Sequence, residues 1–87
     1  MKIKKGFVLE EVAGSYLCCA TGKLAKEFGG FIKLNDTGAF LWNLLREDTT
    51  VAEMTDKMIA EYDISREIAE RDISLFIKKL EENGILA

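Results

Sequence analysis

The hydrophobic periodicity of the chain changes near residue 35, and this change constrains the fold more than any other feature of the sequence. Three short runs rich in strand-forming residues precede it, at residues 7–13, 16–20 and 31–34. After it, apolar residues recur at the three- and four-residue spacing of amphipathic helices. Strands grouped before helices are typical of an α+β fold, in which a helical layer covers one face of the sheet.

The first two runs predict a β-hairpin, because Gly14-Ser15 lies between them as a turn signal. The short alternating run Phe31–Leu34 predicts a third strand. Between the second and third strands, the polar segment 21–30 could hold one turn of helix before two glycines. The sequence leaves the conformation of this segment open.

Three helices are predicted in the remainder, over about residues 36–46, 51–62 and 66–83. Thr50 and Glu53 form a capping box at the second helix, and Gly84 supplies a left-handed residue after the third. The predicted buried stripes are Phe40, Leu41, Leu44 and Leu45, then Val51, Met54, Met58, Ile59 and Tyr62, then Ala69, Ile73, Phe76 and Leu80. We therefore predict one domain over residues 1–87, winged-helix-like, with a three-stranded antiparallel sheet followed by three helices.

Several kinds of chemistry are excluded by the composition. The chain contains no histidine, which removes every Ser-His, Cys-His and His-metal arrangement. Cys18 and Cys19 are adjacent in a predicted strand, so their side chains point to opposite faces and neither a disulfide nor a zinc site is expected. No glycine pattern for phosphate or dinucleotide binding occurs. We therefore expect a protein that is not an enzyme, with no metal and no cofactor.

The hydropathy of the chain argues against a membrane protein. No apolar tract reaches the ~18 residues that could cross a bilayer. Lys2, Lys4 and Lys5 make the N-terminus basic, but the residues after them do not form the apolar run of a secretory signal. A cytoplasmic location is the expectation.

DNA binding is an alternative function, since the second and third predicted helices could form a helix-turn-helix with the hairpin as a wing. The charge of the chain disfavours it. The net charge is −3, whereas DNA binding depends on Lys and Arg residues that neutralise phosphates. The third helix, which would enter the groove, carries Glu67, Glu70, Asp72, Glu81 and Glu82 against Arg66, Arg71, Lys78 and Lys79.

Five segments, in their order and spacing, carry a family resemblance. Residues 32–42 read Ile-Lys-Leu-Asn-Asp-Thr-Gly-Ala-Phe-Leu-Trp. Residues 50–53, 62–65, 72–80 and 83–86 read Thr-Val-Ala-Glu, Tyr-Asp-Ile-Ser, Asp-Ile-Ser-Leu-Phe-Ile-Lys-Lys-Leu and Asn-Gly-Ile-Leu. The first segment is similar to the strand-to-helix junction of the coenzyme PQQ synthesis D family, and the others follow the layout of that family. The resemblance extends over nearly the whole chain.

This resemblance implies a module that binds and does not catalyse. Domains of this family are recognition elements for ribosomally made precursor peptides that are later modified. They take the leader peptide as an extra strand beside the third strand, in a groove bordered by the third helix. They present it to a partner such as a radical S-adenosylmethionine enzyme, and an iron–sulfur cluster would belong to that partner. Nothing in the shared segments indicates pyrroloquinoline quinone as the final product.

Strand addition is also supported by the residues themselves, because an unpaired strand edge offers backbone N–H and C=O groups at fixed spacing. The residues expected at that edge are Phe31, Ile32, Lys33 and Leu34. On the third helix, a second stripe is displaced from the core stripe by about a quarter turn. It consists of Ile68, Asp72, Leu75 and Lys79, and Phe76 is expected at the floor of the groove.

We expect Ile68 and Leu75 to contact apolar leader residues, and Asp72 and Lys79 to pair with charges that set the register. Asn35, Asp36 and Gly38 are more typical of a helix cap and a tight junction than of ligand contacts.

Structural interpretations of single residues remain open alternatives. Lys33 could be only the solvent-facing member of an alternating strand, and Ile68 and Phe76 could belong to the core. Trp42 lies off the main stripe of its helix and either covers the hairpin or enters a partner interface. A docking domain for a folded partner is the third functional alternative. A free strand edge can also pair with a second copy, so the expected state is a monomer or a weak homodimer.

Overall fold

The computed structural model describes residues 1–87 and contains three strands and four helices. In chain order they are β1 (Phe7–Val12), β2 (Ser15–Ala20), α1 (Leu24–Phe28), β3 (Phe31–Leu34), α2 (Asp36–Leu44), α3 (Val51–Tyr62) and α4 (Arg66–Glu82). The predicted α+β class is confirmed, with α2, α3 and α4 as the three expected helices. The segment that the sequence left open contains the short helix α1, whose Phe28 ring packs edge-on against Phe7 with ring centroids 5.2 Å apart.

β1 and β2 are joined by a two-residue turn at Ala13 and Gly14. Both residues have positive φ, at 51° and 81°. Two such residues give the turn a twist that matches the right-handed twist of the strands. The turn therefore lies one residue earlier than the predicted Gly14-Ser15.

The sheet is antiparallel, in the order β1-β2-β3, and one of its faces is covered by helices. Cys18 in the central strand lies between Leu9 and Ile32, and Cys18 and Leu34 are buried on the covered face. Alternate residues point to the opposite face, where Val8 and Phe31 are exposed. β3 pairs only with β2, so its second edge is free.

Each of the three long helices begins with a side-chain cap, in which an oxygen accepts from the amide three residues later. The donor–acceptor distances are 2.8 Å for Asn35 and Gly38, 3.2 Å for Thr50 and Glu53, and 3.2 Å for Ser65 and Ile68. The second half of the predicted capping box is wrong. The Glu53 carboxylate accepts from the Thr49 hydroxyl at 3.0 Å, and not from the backbone of Thr50.

The three long helices close a core of 13 buried residues against the sheet. The stripe predicted on α4 is buried throughout: Ala69, Ile73, Phe76 and Leu80. Trp42 is 1% exposed and belongs to the core, and it lines a hollow together with Phe7 and Leu9 of β1, which favours the interpretation that it covers the hairpin. The prediction for Val51 is wrong, since it is 41% exposed. Val51 is the first residue of α3, and its side chain tilts toward the N-terminus of the helix, away from the residues that pack against the core.

The two ends of the chain pair with each other, which the sequence did not predict. Ile3 forms an isolated antiparallel bridge with Leu86, and the Ile3 amide donates to the Leu45 carbonyl at 2.8 Å. Ile85 beside this bridge is fully buried. The pairing joins both ends of the chain to the residue that follows α2. None of the helices combines the length and the hydropathy needed to cross a membrane.

Candidate functional site

An open groove of about 550 Å³ lies between the free edge of β3 and helix α4, and it is termed here the β3–α4 groove. The residues that line it are Lys33, Leu34, Asn35, Thr37, Gly38, Leu41, Asp72, Leu75, Phe76 and Lys79. β3 forms one wall, α4 forms the other, and the start of α2 closes one end. The strand edge and the helix stripe that the sequence predicted as a pair therefore face the same space.

The register of the sheet determines which backbone groups of β3 are free. The Thr21 amide donates to the Gly6 carbonyl at 2.7 Å, so these two residues form a hydrogen-bonded pair at the end of the β1–β2 ladder. Hydrogen-bonded and non-hydrogen-bonded pairs alternate along an antiparallel ladder, and successive residues of the central strand bond to opposite neighbours. Counting back from Thr21, Cys18 directs its N–H and C=O groups toward β3.

Cys18 lies opposite Ile32, so Ile32 and, two residues further on, Leu34 bond to β2. The N–H and C=O groups of Phe31 and Lys33 then point away from the sheet, toward the free edge. This edge offers two donors and two acceptors at the spacing that another strand requires.

The wall on α4 combines two charged side chains and an exposed apolar side chain. Asp72 and Lys79 are seven residues apart in the sequence, about 10 Å along the helix axis, and they mark its two ends. Leu75, between them, is 62% exposed, and Phe76 is buried below it. A single exposed leucine is common on protein surfaces, but this one faces a strand edge whose backbone groups are also unpaired.

The floor of the groove depends on a close approach between α2 and α4 at Gly38. A Cβ atom at Gly38 would lie 3.3 Å from Leu34 Cβ and 3.5 Å from Phe76 Cε1. The Gly38 amide is held by the Asn35 side chain, which also accepts from the Thr37 hydroxyl at 3.0 Å. The absence of a side chain at this position therefore lets the capped end of α2 meet the Phe76 ring.

Six of the nine predicted site residues line the β3–α4 groove: Lys33, Leu34, Asp72, Leu75, Phe76 and Lys79. Phe31 and Ile32 lie next to it, beside a smaller hollow bordered by Glu82 and Asn83. Ile68 is 42% exposed and lines neither cavity, so it belongs neither to the buried core nor to the groove. Phe76 was expected either in the core or at the floor of the groove, and it is both: it is 8% exposed and it lines the groove.

Four residues of the groove were not assigned to the site from the sequence: Asn35, Thr37, Gly38 and Leu41. Asn35 and Gly38 were interpreted as a cap, and they do form one. The only sequence signal that connects them with the groove is their position directly after the edge strand. Leu41 has the spacing of a core residue, and nothing in the sequence shows that it reaches the groove.

The charged side chains of the groove differ in their partners. Three ion pairs occur in the structure, joining the N-terminal amine to Asp48, Arg66 to Asp56 and Arg71 to Asp72. The Arg71–Asp72 pair is the longest of them, with Nε and Oδ1 3.8 Å apart. Lys33 and Lys79 belong to none of these pairs, so both ammonium groups are available to a ligand.

The arrangement, a free strand edge opposite an exposed apolar side chain, is suited to holding an extended chain. No cluster of three or more His, Cys, Asp or Glu side chains is present that could hold a metal ion. Burial raises the pKa of the Cys18 thiol to about 11, and the neighbouring Cys19 adds to the rise. The thiol is therefore protonated at neutral pH, whereas nucleophilic cysteines need a lowered pKa. Every buried side-chain polar atom has a hydrogen-bond partner.

Comparisons with known proteins agree with this geometry. The sequence model of the family described as coenzyme PQQ synthesis protein D (PqqD) matches residues 7–86. The structure of TbiB1 in complex with the TbiA(beta) leader peptide superposes with a TM-score of 0.79 at 27% identity, covering 99% of this chain and 94% of that one. The structure of lasso peptide synthetase B1 complexed with the leader peptide gives 0.77 at 24% identity, covering 97% and 93%. Among curated proteins no match is found.

Proposed function

The chain belongs to the coenzyme PQQ synthesis protein D family, and from this premise we propose that it binds the leader segment of a ribosomally made precursor peptide as a strand added to β3. The observation that carries the proposal is the free edge of β3, which opens onto a groove whose other wall presents the exposed Leu75. TbiB1, which has the same fold, has been solved in complex with a leader peptide.

Binding by strand addition uses both walls of the groove. The backbone groups of Phe31 and Lys33 pair with the leader and hold it in an extended conformation. At about 0.5–1.5 kcal/mol each, four such hydrogen bonds contribute roughly 2–6 kcal/mol before the cost of ordering the peptide. Alternate side chains of the leader then point into the groove, against Leu75 and Phe76. The backbone supplies affinity and the groove supplies selectivity.

The chemistry that modifies the peptide belongs to a partner enzyme in this proposal. No cysteine, serine or histidine lines the groove, and the chain has no cluster of metal-binding side chains. We propose that the domain presents the bound leader to a peptide-modifying enzyme, such as a radical S-adenosylmethionine protein. The alternative of DNA binding finds no support in the family or in the similar structures.

The test is an amide-resolved NMR titration with the N-terminal segment of a small peptide encoded beside this protein's gene. Saturable shifts at β3 and along the groove face of α4, with little change at α3, are the expected result. A titration with duplex DNA at two salt concentrations is the comparison. Shifts on the basic residues of α4 with DNA, together with none from the peptide, would replace the proposal with nucleic-acid binding.

A further inference from the structure

The β3–α4 groove is positively charged in a domain that is acidic as a whole. The chain carries a net charge of −3. The groove contains two lysines and one aspartate, Lys33, Lys79 and Asp72. Asp72 already has Arg71 beside it at 3.8 Å, whereas both lysines are without an acidic partner. A ligand paired with β3 therefore meets two unpaired positive charges, Lys33 on the open face of the sheet and Lys79 on the wall formed by α4.

The sheet register places one of these charges opposite a definite position of the ligand. A residue directly opposite Lys33 in an added strand points its side chain to the same face of the sheet as Lys33. Directly opposed side chains have Cβ atoms about 4.5–5.5 Å apart, and opposite charges stabilise such a pair. On that face the row continues through Leu17 to Glu10, whose backbone lies two strands away, about 10 Å from that of Lys33. No ion pair joins the two side chains. Glu10 therefore leaves the ammonium group free for a ligand.

The neighbours of that ligand position point the other way, into the groove. They lie opposite Ile32 and Leu34, which face the covered side of the sheet. The side chains that they meet across the groove are those of Leu75 and Phe76. Apolar side chains are favoured at both neighbouring positions, because burying apolar surface against these residues is favourable. This alternation holds whether the ligand runs parallel or antiparallel to β3.

We propose that the peptide segment bound beside β3 carries an apolar–acidic–apolar triplet, with its acidic residue opposite Lys33. The inference rests on the proposed function and specifies the chemical class of peptide that the site selects. Lys79, on the opposite wall, adds a second positive charge that favours an acidic segment. The cross-strand pair with Lys33 fixes the register, because a slip of one residue would turn the acidic side chain into the apolar groove.

The experiment uses three capped ten-residue peptides that differ only at the centre, where a Ser/Thr background holds Leu-Glu-Val, Leu-Gln-Val or Leu-Lys-Val. Their dissociation constants are measured by NMR titration of the full chain. The unmodified protein should bind the Glu peptide best and the Lys peptide worst, with about two- to fivefold between successive peptides, the range of exposed ion pairs. Raising the salt to about 0.5 M should reduce these differences by screening.

Charge reversal at Lys33 supplies the sharper test. Lys33→Glu should reverse the ranking, so that the Lys peptide binds best. Lys78→Glu makes the same change in net charge on the exposed side of α4 outside the groove, and it should preserve the original ranking. The same ranking in Lys33→Glu and in the unmodified protein would overturn the inference, as would no binding of any of the three peptides. Binding of the gene-encoded leader alongside either negative result would leave the proposed function standing.

Discussion

Replacing the exposed leucine of the groove is expected to weaken leader binding without disturbing the fold. Leu75 is 62% exposed, so Leu75→Ala removes little buried contact and should change the free energy of unfolding by no more than about 0.5 kcal/mol. Complete burial of a leucine side chain contributes about 1.5–3 kcal/mol. The fraction still open to a ligand, 62%, corresponds to about 1–2 kcal/mol of binding energy. The dissociation constant should therefore rise roughly 5- to 25-fold.

Isothermal titration calorimetry with the gene-encoded leader segment measures this effect. The rise in the dissociation constant should be accompanied by a less negative heat-capacity change of binding, because the variant buries less apolar surface. Leu75→Asp should weaken binding further, since a carboxylate would be desolvated against Phe76. Thermal unfolding of each variant tests that the fold is retained.

Val51→Ala is the matched control. Val51 is another exposed aliphatic residue, but it lies at the start of α3 and outside the groove. Its replacement should leave the dissociation constant unchanged. The reasoning fails if Leu75→Ala binds the leader within twofold of the unmodified protein, or if Val51→Ala weakens binding by the same factor.

Three further predictions concern stability. The pKa of Cys18 in the folded protein, about 11, lies above the ordinary value of 9.0, so the folded state holds this proton more tightly than the unfolded state does. The free energy of unfolding should therefore fall as the pH rises from 9 to 11, by up to about 2–3 kcal/mol. Chemical denaturation across this pH range should show that the free energy of unfolding declines less with pH in Cys18→Ala than in Cys19→Ala. Equal pH dependence in the two variants would exclude the Cys18 thiol as the cause. Asn35→Ala removes a helix cap at the end of the groove and should cost about 1 kcal/mol, or roughly 4–8 °C in Tm; an unchanged Tm would show that water replaces the cap. Trp42→Ala should cost about 3–5 kcal/mol in urea unfolding, and a loss below 1 kcal/mol would contradict its place in the core.

The order and type of the main elements could be predicted from the sequence because each is encoded by local signals. Phe31–Leu34 alternates over four residues, and Ser65 caps the amphipathic stripe of α4. Such signals act within one or two helical turns, so they do not depend on how the elements pack. Predictions failed where packing decides, as at Val51, whose helical spacing matches a buried stripe although its position at the end of α3 leaves it exposed.

The walls of the candidate site were also foreseeable in part. A third strand with one partner must have a free edge, and a second stripe on α4 beside its core stripe must face something other than the core. The choice among the members of that stripe was not foreseeable. Leu75 and Ile68 have the same helical phase, seven residues apart, yet only Leu75 lines the groove. Helical phase gives the face of α4 but not the position along its axis at which β3 passes.

The sequence by itself therefore determined the strands, the long helices, the capping residues at their starts and the absence of histidine chemistry. Only the tertiary structure decided that Gly38 lets α2 approach Phe76, that Leu41 reaches the groove, and that Ile3 pairs with Leu86. These features depend on contacts between residues far apart in the chain. No local periodicity encodes such contacts, since they exist only after the whole core has packed.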